Sequence, residues 1–123
     1  MQKSIDTKIS QLTPESKNVN LKVKVLEKSE AREFYSQSSR ERLRVCDTTI
    51  GDESGIIKMT LWNEQIDDIN VGDVVKITNA YTVIFKGHMK LQIGKYGSYQ
   101  IIPDEIKEIN LSNDMSEIAY ESE

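Results

Sequence analysis

The chain has 123 residues, 37% hydrophobic and 29% charged, which suits one domain around one modest core; with no 18-residue apolar stretch, a helical membrane span is excluded. A single cysteine, Cys46, excludes an internal disulfide, and with a single histidine, His88, it argues against a Cys/His zinc module and a Cys–His nucleophile pair; no metal or cofactor is expected. The net charge of −4 is unevenly spread: residues 104–123 carry seven acids and one base, whereas residues 1–103 carry 15 bases and 13 acids, so an acidic end follows a mildly basic body.

Residues 1–18 are polar apart from Ile5, Ile9 and Leu12, and they read as a lead-in that packs on the following domain. The first residues form no apolar signal region, so a reducing cytoplasm is the expected compartment. Val19, Leu21, Val23 and Val25 then alternate with Asn20, Lys22 and Lys24, the period of a half-buried strand. Residues 29–39 break the alternation and are expected to form a loop. A second strand is predicted over 40–50, where Arg42 and Arg44 alternate with Leu43 and Val45. Gly51-Asp52-Glu53-Ser54-Gly55 is a turn, and Ile56 to Trp62 is a third strand with Ile57, Met59 and Leu61 inward. Asn63 is a candidate cap for a short helix carrying Ile66 and Ile69. A turn at Val71-Gly72-Asp73 leads into a long strand, Asp73 to Phe85, and Lys86-Gly87 signals a tight hairpin. The fifth strand, His88 to Ile93, points Met89, Leu91 and Ile93 inward, and Gly94-Lys95-Tyr96-Gly97 reads as a further turn.

Five strands with a short helix between the third and fourth is the layout of an all-β OB-fold, a Greek-key barrel, here over residues 19–103. The acidic residues 104–123 form a third segment. Their Ile106, Ile109, Leu111 and Ile118 suit a docked helix or a contact with a partner protein.

The aromatic residues carry the functional signal. Trp62 shares the outward parity of Lys58 and Thr60, and a large ring on a solvent face normally has a partner. Tyr81 and Phe85 share one face of the fourth strand, with Val83 between them. Spacing leaves that face open: without a bulge they belong to the core with Val75 and Ile77, and a bulge near Asn79-Ala80 turns them outward. Their neighbours favour the outward reading. His88, Lys90 and Gln92 form the outer face of the fifth strand, Lys86 follows Phe85, and Arg42 and Arg44 lie on the second. Rings interleaved with cations on an OB barrel are what single-stranded nucleic acid requires, because bases stack on the rings and phosphates pair with the cations.

At these residues the chain resembles the single-OB single-stranded-DNA-binding proteins of archaea and their human relatives in the sensor-of-ssDNA complex. The resemblance rests on Asn18-Val19-Asn20, Val25-Leu26-Glu27, the 51–55 turn, Thr60-Leu61-Trp62, Val71-Gly72-Asp73-Val74-Val75, Asn79-Ala80-Tyr81, Phe85-Lys86-Gly87 and Gly94-Lys95-Tyr96-Gly97, in order over roughly residues 10–97. It implies that Trp62, Tyr81 and Phe85 are stacking rings, and that Arg32 is a first-loop phosphate contact. Arg42, Arg44, Lys58, Lys86, Lys90, Lys95 and Gln92 complete the expected set of phosphate and base-edge contacts. Some relatives carry a fourth ring where Gln92 stands. The long Gly/Arg-rich linker of many archaeal relatives is missing here.

The function expected is sequence-tolerant binding of single-stranded DNA in replication, recombination and repair by a protein that is monomeric when free. Replication or repair proteins are expected to meet its acidic C-terminal segment, and no membrane is involved. Two other readings use the same rings: an RNA-binding OB module, and a subunit that buries them in a protein partner. An enzyme is not expected, since no nucleophile–base–orienter set can be assembled from these residues.

Overall fold

The computed structural model describes residues 5–117, with Lys95 and Tyr96 described by their backbone alone. The strands are β1 (Ile5–Asp6), β2 (Val19–Lys28), β3 (Arg32–Ser36), β4 (Glu41–Asp52), β5 (Gly55–Trp62), β6 (Val74–Phe85) and β7 (His88–Ile102). One short helix, α1 (Glu64–Asp68), lies between β5 and β6, and a 3₁₀ turn spans Ile9–Gln11. The sheet order is β1-β2-β6-β7-β5-β4-β3, and an extra pairing of β2 with β4 closes the five long strands into a barrel. The pairing of β5 with β7 is parallel and those of β2–β4, β2–β6, β4–β5 and β6–β7 are antiparallel. That connectivity, with the helix where it is, is the OB-fold.

Alternation builds the core. Val23, Ile57, Met59, Leu61, Val75, Ile77, Met89 and Leu91 are fully buried, all on the inward parity of their strands. The lead-in joins this core through Ile9 and Leu12, and β1 runs parallel to the start of β2. Asp52, buried at the β4–β5 turn, ties the two together. Its Oδ2 accepts the Ile9 N–H at 3.1 Å, and its Oδ1 accepts from the Ser54 N–H and hydroxyl and from the Gly55 N–H. Lys8 adds an ion pair to Glu53, which holds that carboxyl below its ordinary range. The Lys28 ammonium reaches the carbonyls of Ile66 and Ile69 and so satisfies the C-terminal end of α1.

Four expectations need correction. Residues 32–36, expected within a loop, form β3, which extends a hairpin with β4 (Arg32 opposite Val45, Ser36 opposite Glu41). This hairpin projects from the barrel and Arg32 to Tyr35 are all exposed, so no buried face imprints an alternation on the sequence. Asn63 precedes α1 but does not cap it: its Oδ1 accepts the Arg44 N–H, and its own N–H returns to the Arg44 carbonyl. Gly94 to Gly97 is an excursion and not an end. The ladder breaks between Thr78 and Ala80, four residues of β7 bow out, and pairing resumes from Ser98 opposite Thr78 to Ile102 opposite Val74. Residues 104–117 dock without a helix, and Ile118 with the rest of the segment lies outside the described residues. The docked residues form an irregular strap with Ile106 buried and with Asn113 and Met115 exchanging backbone hydrogen bonds with Ile56.

The same bow explains why Gly97 is glycine. A Cβ there would sit 2.9 Å from the carbonyl oxygens of both Asn79 and Thr78. Backbone atoms in a paired ladder cannot swing aside, so Gly97→Ala is expected to cost about 1–3 kcal/mol, as overpacking does, measured as a lower urea midpoint with unchanged slope.

Candidate nucleic-acid interface

The decisive local feature is the bulge in β6. Asn79 adopts a left-handed backbone (φ 59°), which asparagine tolerates better than most residues, and its N–H donates to Asn20 Oδ1 at 3.1 Å. Before the bulge Val75 and Ile77 point inward; after it Ala80 and Thr82 do. The swap sends Tyr81, Val83 and Phe85 to the outer face. At the hairpin, Lys86 (φ 53°) and Gly87 (φ 84°) are both left-handed, the requirement of a two-residue type I′ turn, and Phe85 pairs with His88.

The register then fixes which residues share that face. Val45 lies opposite Trp62 and Arg32. Asp47, Thr60, Gln92 and Tyr81 stand side by side across four strands, and so do Thr49, Lys58, Lys90 and Val83. Trp62 stands two residues beyond Thr60, and Phe85 two beyond Val83, so Trp62 lies one step of about 7 Å to one side of the Tyr81 row and Phe85 two such steps to the other. A groove of about 640 Å³ runs between Trp62 and Phe85, lined by Arg32, Phe34, Asp47 and Lys90 among others, whereas Tyr81 lines a neighbouring hollow with Pro14, Lys17 and Asn79.

Each ring is held in place. Trp62 is half-buried, the ring of Phe34 meets it edge-on at 6.1 Å, and its backbone N–H donates to Gln65 Oε1. Tyr81 rests against Gly94, where a Cβ would come within 2.9 Å of the ring, and its hydroxyl donates to Gln92 Oε1 at 3.2 Å. Phe85 is 54% exposed, with the ammonium groups of Lys90 and Lys86 at 4.9 and 5.4 Å from its ring centre.

The cations divide into two groups. Lys58, Lys86, Lys90 and Arg32 stand with the rings. Lys90 pairs with Asp47 at 3.3 Å, Arg32 approaches the same carboxylate at 3.9 Å, and Lys58 donates to Thr49 Oγ1 at 2.7 Å. Arg42 and Arg44 do not share this face, against the sequence expectation. The unbroken β4 register gives it to Leu43, Val45 and Asp47, so the arginines carry the parity of buried Cys46 on the hairpin's reverse side. There Arg44 makes a bidentate pair with Asp67 of α1, which holds that carboxyl below its usual range. The side chain of Lys95 lies outside the described residues, as does that of Tyr96. Tyr99 is part of β7, packs against the core and donates to Asp68; burial, first, and that bond push its phenol up to about 12. His88 is half-buried, with Nδ1 2.7 Å from the Ser116 carbonyl. Burial raises the Cys46 thiol, which is buried in the core.

Phe34, Asp47 and Thr60 belong to this surface and were not among the expected contacts. The adjacent Phe34-Tyr35 pair in an otherwise polar stretch was the available signal, since exposed rings seldom stand without use.

A closed five-stranded OB barrel with rings and cations on one outer face is, as a class, a binding module. The family model for "Single-stranded DNA binding protein Ssb-like, OB fold" matches residues 12–101. The chain belongs to this Ssb-like OB-fold family. It is 39% identical over 90 residues to the single-stranded DNA binding protein Ssb of Saccharolobus solfataricus, a match covering 73% of this chain and 60% of that protein. The solution structure of a hypothetical protein from Arabidopsis thaliana superposes with a TM-score of 0.79 at 31% identity, covering 99% of this chain and 90% of that one. The second OB-fold domain of replication protein A from Methanococcus maripaludis shares the fold (TM-score 0.66, 21% identity), covering 84% of this chain and all of that domain.

Proposed function

We propose that this chain binds single-stranded DNA with little regard to sequence, by stacking bases on Trp62, Tyr81 and Phe85 and pairing phosphates with Arg32, Lys58, Lys86 and Lys90. The observation that carries the reading is the Asn79 bulge, which turns Tyr81 and Phe85 onto the outer face that Trp62 occupies. Family membership and the name of the Saccharolobus relative support it. Stacking is worth about 1–3 kcal/mol per base and accepts any base, so the net charge of −4 is no obstacle. Lys95, on the β7 bow, extends the phosphate path, and Gln92 offers its amide to a base edge. Replication, recombination and repair expose such strands. The chain acts there as a non-enzymatic coat, and the exposed acids Glu105, Glu108 and Glu117 of the C-terminal segment offer a surface to basic partner proteins.

Trp62 is the only tryptophan, so its fluorescence reports on the site directly. Titration with oligo-dT is expected to quench it. The logarithm of affinity should fall with the logarithm of salt at a slope of about −0.7 per phosphate paired, or about −3 if all four cations engage. Equal quenching by oligo-U would turn the reading towards RNA. No quenching, with no binding in an independent assay, would assign the rings to a protein partner.

A further inference from the structure

One row of the outer face sets a single ring, Tyr81, beside three polar side chains. Asp47, Thr60, Gln92 and Tyr81 lie side by side between the layers of Trp62 and Phe85. Three of these side chains are neutral. Asp47 is an acid in the middle of a groove proposed for a polyanion, where a charge of that sign weakens binding unless it does something else. Its Oδ1 accepts from Lys90 Nζ and Thr60 Oγ1, both at 3.3 Å. Among the described residues, Oδ2 has only the Arg32 guanidinium, at 3.9 Å and beyond hydrogen-bond distance. The side chain is 34% exposed. Oδ2 is therefore an acceptor with room for a donor from the groove.

The geometry points to Asp47 as a base-reading residue that, given the single-strand reading above, favours bases carrying an exocyclic amino group, with cytosine over thymine as the clearest case. Cytosine presents its N4 amino donor where thymine presents the O4 acceptor. At that position a carboxylate accepts from cytosine and repels thymine, whose one edge donor, the ring N3–H, lies flanked by the O4 and O2 acceptors. The two rings are alike in size, so the comparison isolates the edge from the stacking. Stacking anchors the strand, and Asp47 biases which base settles between the rings.

The test uses the full chain and labelled oligo-dC and oligo-dT of equal length at neutral pH, with affinity read by fluorescence anisotropy. The variants are Asp47→Asn, which keeps the shape, and Asp47→Ser, which withdraws the group. Removing the acid also relieves its repulsion of any strand, so the readout is the ratio of the two dissociation constants. That ratio is expected to move about five- to tenfold towards dT in both variants, the lower part of the range for one base-edge contact. Differences between the free oligonucleotides cancel, because each variant is compared with the parent chain. An unchanged ratio, even with both oligonucleotides bound more tightly, would make Asp47 a counter-ion for Lys90 and Arg32 and overturn its reading role while leaving the single-strand reading intact. Failure of the parent chain to bind either oligonucleotide would overturn both.

Discussion

Trp62→Ala is expected to weaken oligo-dT binding by about 1–3 kcal/mol, the measured worth of one base–ring stack, or roughly five- to more than a hundredfold in affinity. Labelled oligonucleotide must report the loss, since the substitution removes the protein's own tryptophan signal. The upper half of the range is the more natural outcome. Phe34 braces the indole from one edge, Val45 lies across from it, and the Gln65 side chain pins its backbone, so little freedom remains to be lost on binding. The fold should survive, because the core on this strand is built by Ile57, Met59 and Leu61. Arg44→Ala supplies the contrast: that guanidinium is committed to Asp67 on the reverse side and should change affinity for a short strand little. A Trp62→Ala loss no larger than that of Arg44→Ala would remove the indole from the binding path.

The largest effect on stability should come from Asp52→Ala. Asp52 is 1% exposed and its two oxygens serve four donors from three residues. Alanine would leave the N–H groups of Ile9 and Gly55 without their acceptor in a buried place, and each such group costs about 1–3 kcal/mol. The total is about 3 kcal/mol or more, which lowers the midpoint of thermal unfolding by on the order of 10 °C. Asp52→Asn keeps one carbonyl oxygen and should recover part of the loss. Binding measured well below the midpoint should be unchanged, because Asp52 lies at the β4–β5 turn, away from the rings. A midpoint shift of only a degree or two would mean that water replaces the carboxylate and that the lead-in is not anchored there.

Much of the barrel could be read from the chain because a strand with one buried face writes its period into the sequence. Val19 to Val25 and Ile57 to Leu61 did so without ambiguity, and the two left-handed residues of the β6–β7 turn were visible as Lys86-Gly87. The β3–β4 hairpin was illegible for the complementary reason: it buries nothing on β3, so Arg32 to Ser36 obey no alternation. The same projection misled the placement of Arg42 and Arg44. Basic residues alternating with Leu43 and Val45 suggested that the apolar pair faced the core. In fact the apolar pair takes the parity of the groove, which Val45 lines, and the parity of the arginines meets the core only further along, at Cys46. Spacing left the orientation of Tyr81 and Phe85 open because one asparagine decides it, and a bulge leaves little trace in composition. The β7 bow was half-legible: two glycines marked a departure from the ladder, but only the pairing of residues 98–102 with β6 reveals the return.

The strap has a practical consequence for anyone drawing a border on this protein. The family model's match stops at residue 101, yet the Ile56 N–H is satisfied by the carbonyl of Asn113, and the Lys58 N–H and the Met89 carbonyl by the hydroxyl of Ser116. A fragment trimmed to that match would bare an adhesive margin on β5, open to strand addition by any neighbour. Such a fragment would self-associate beside the rings, and its clumping would be mistaken for cooperative coating of DNA.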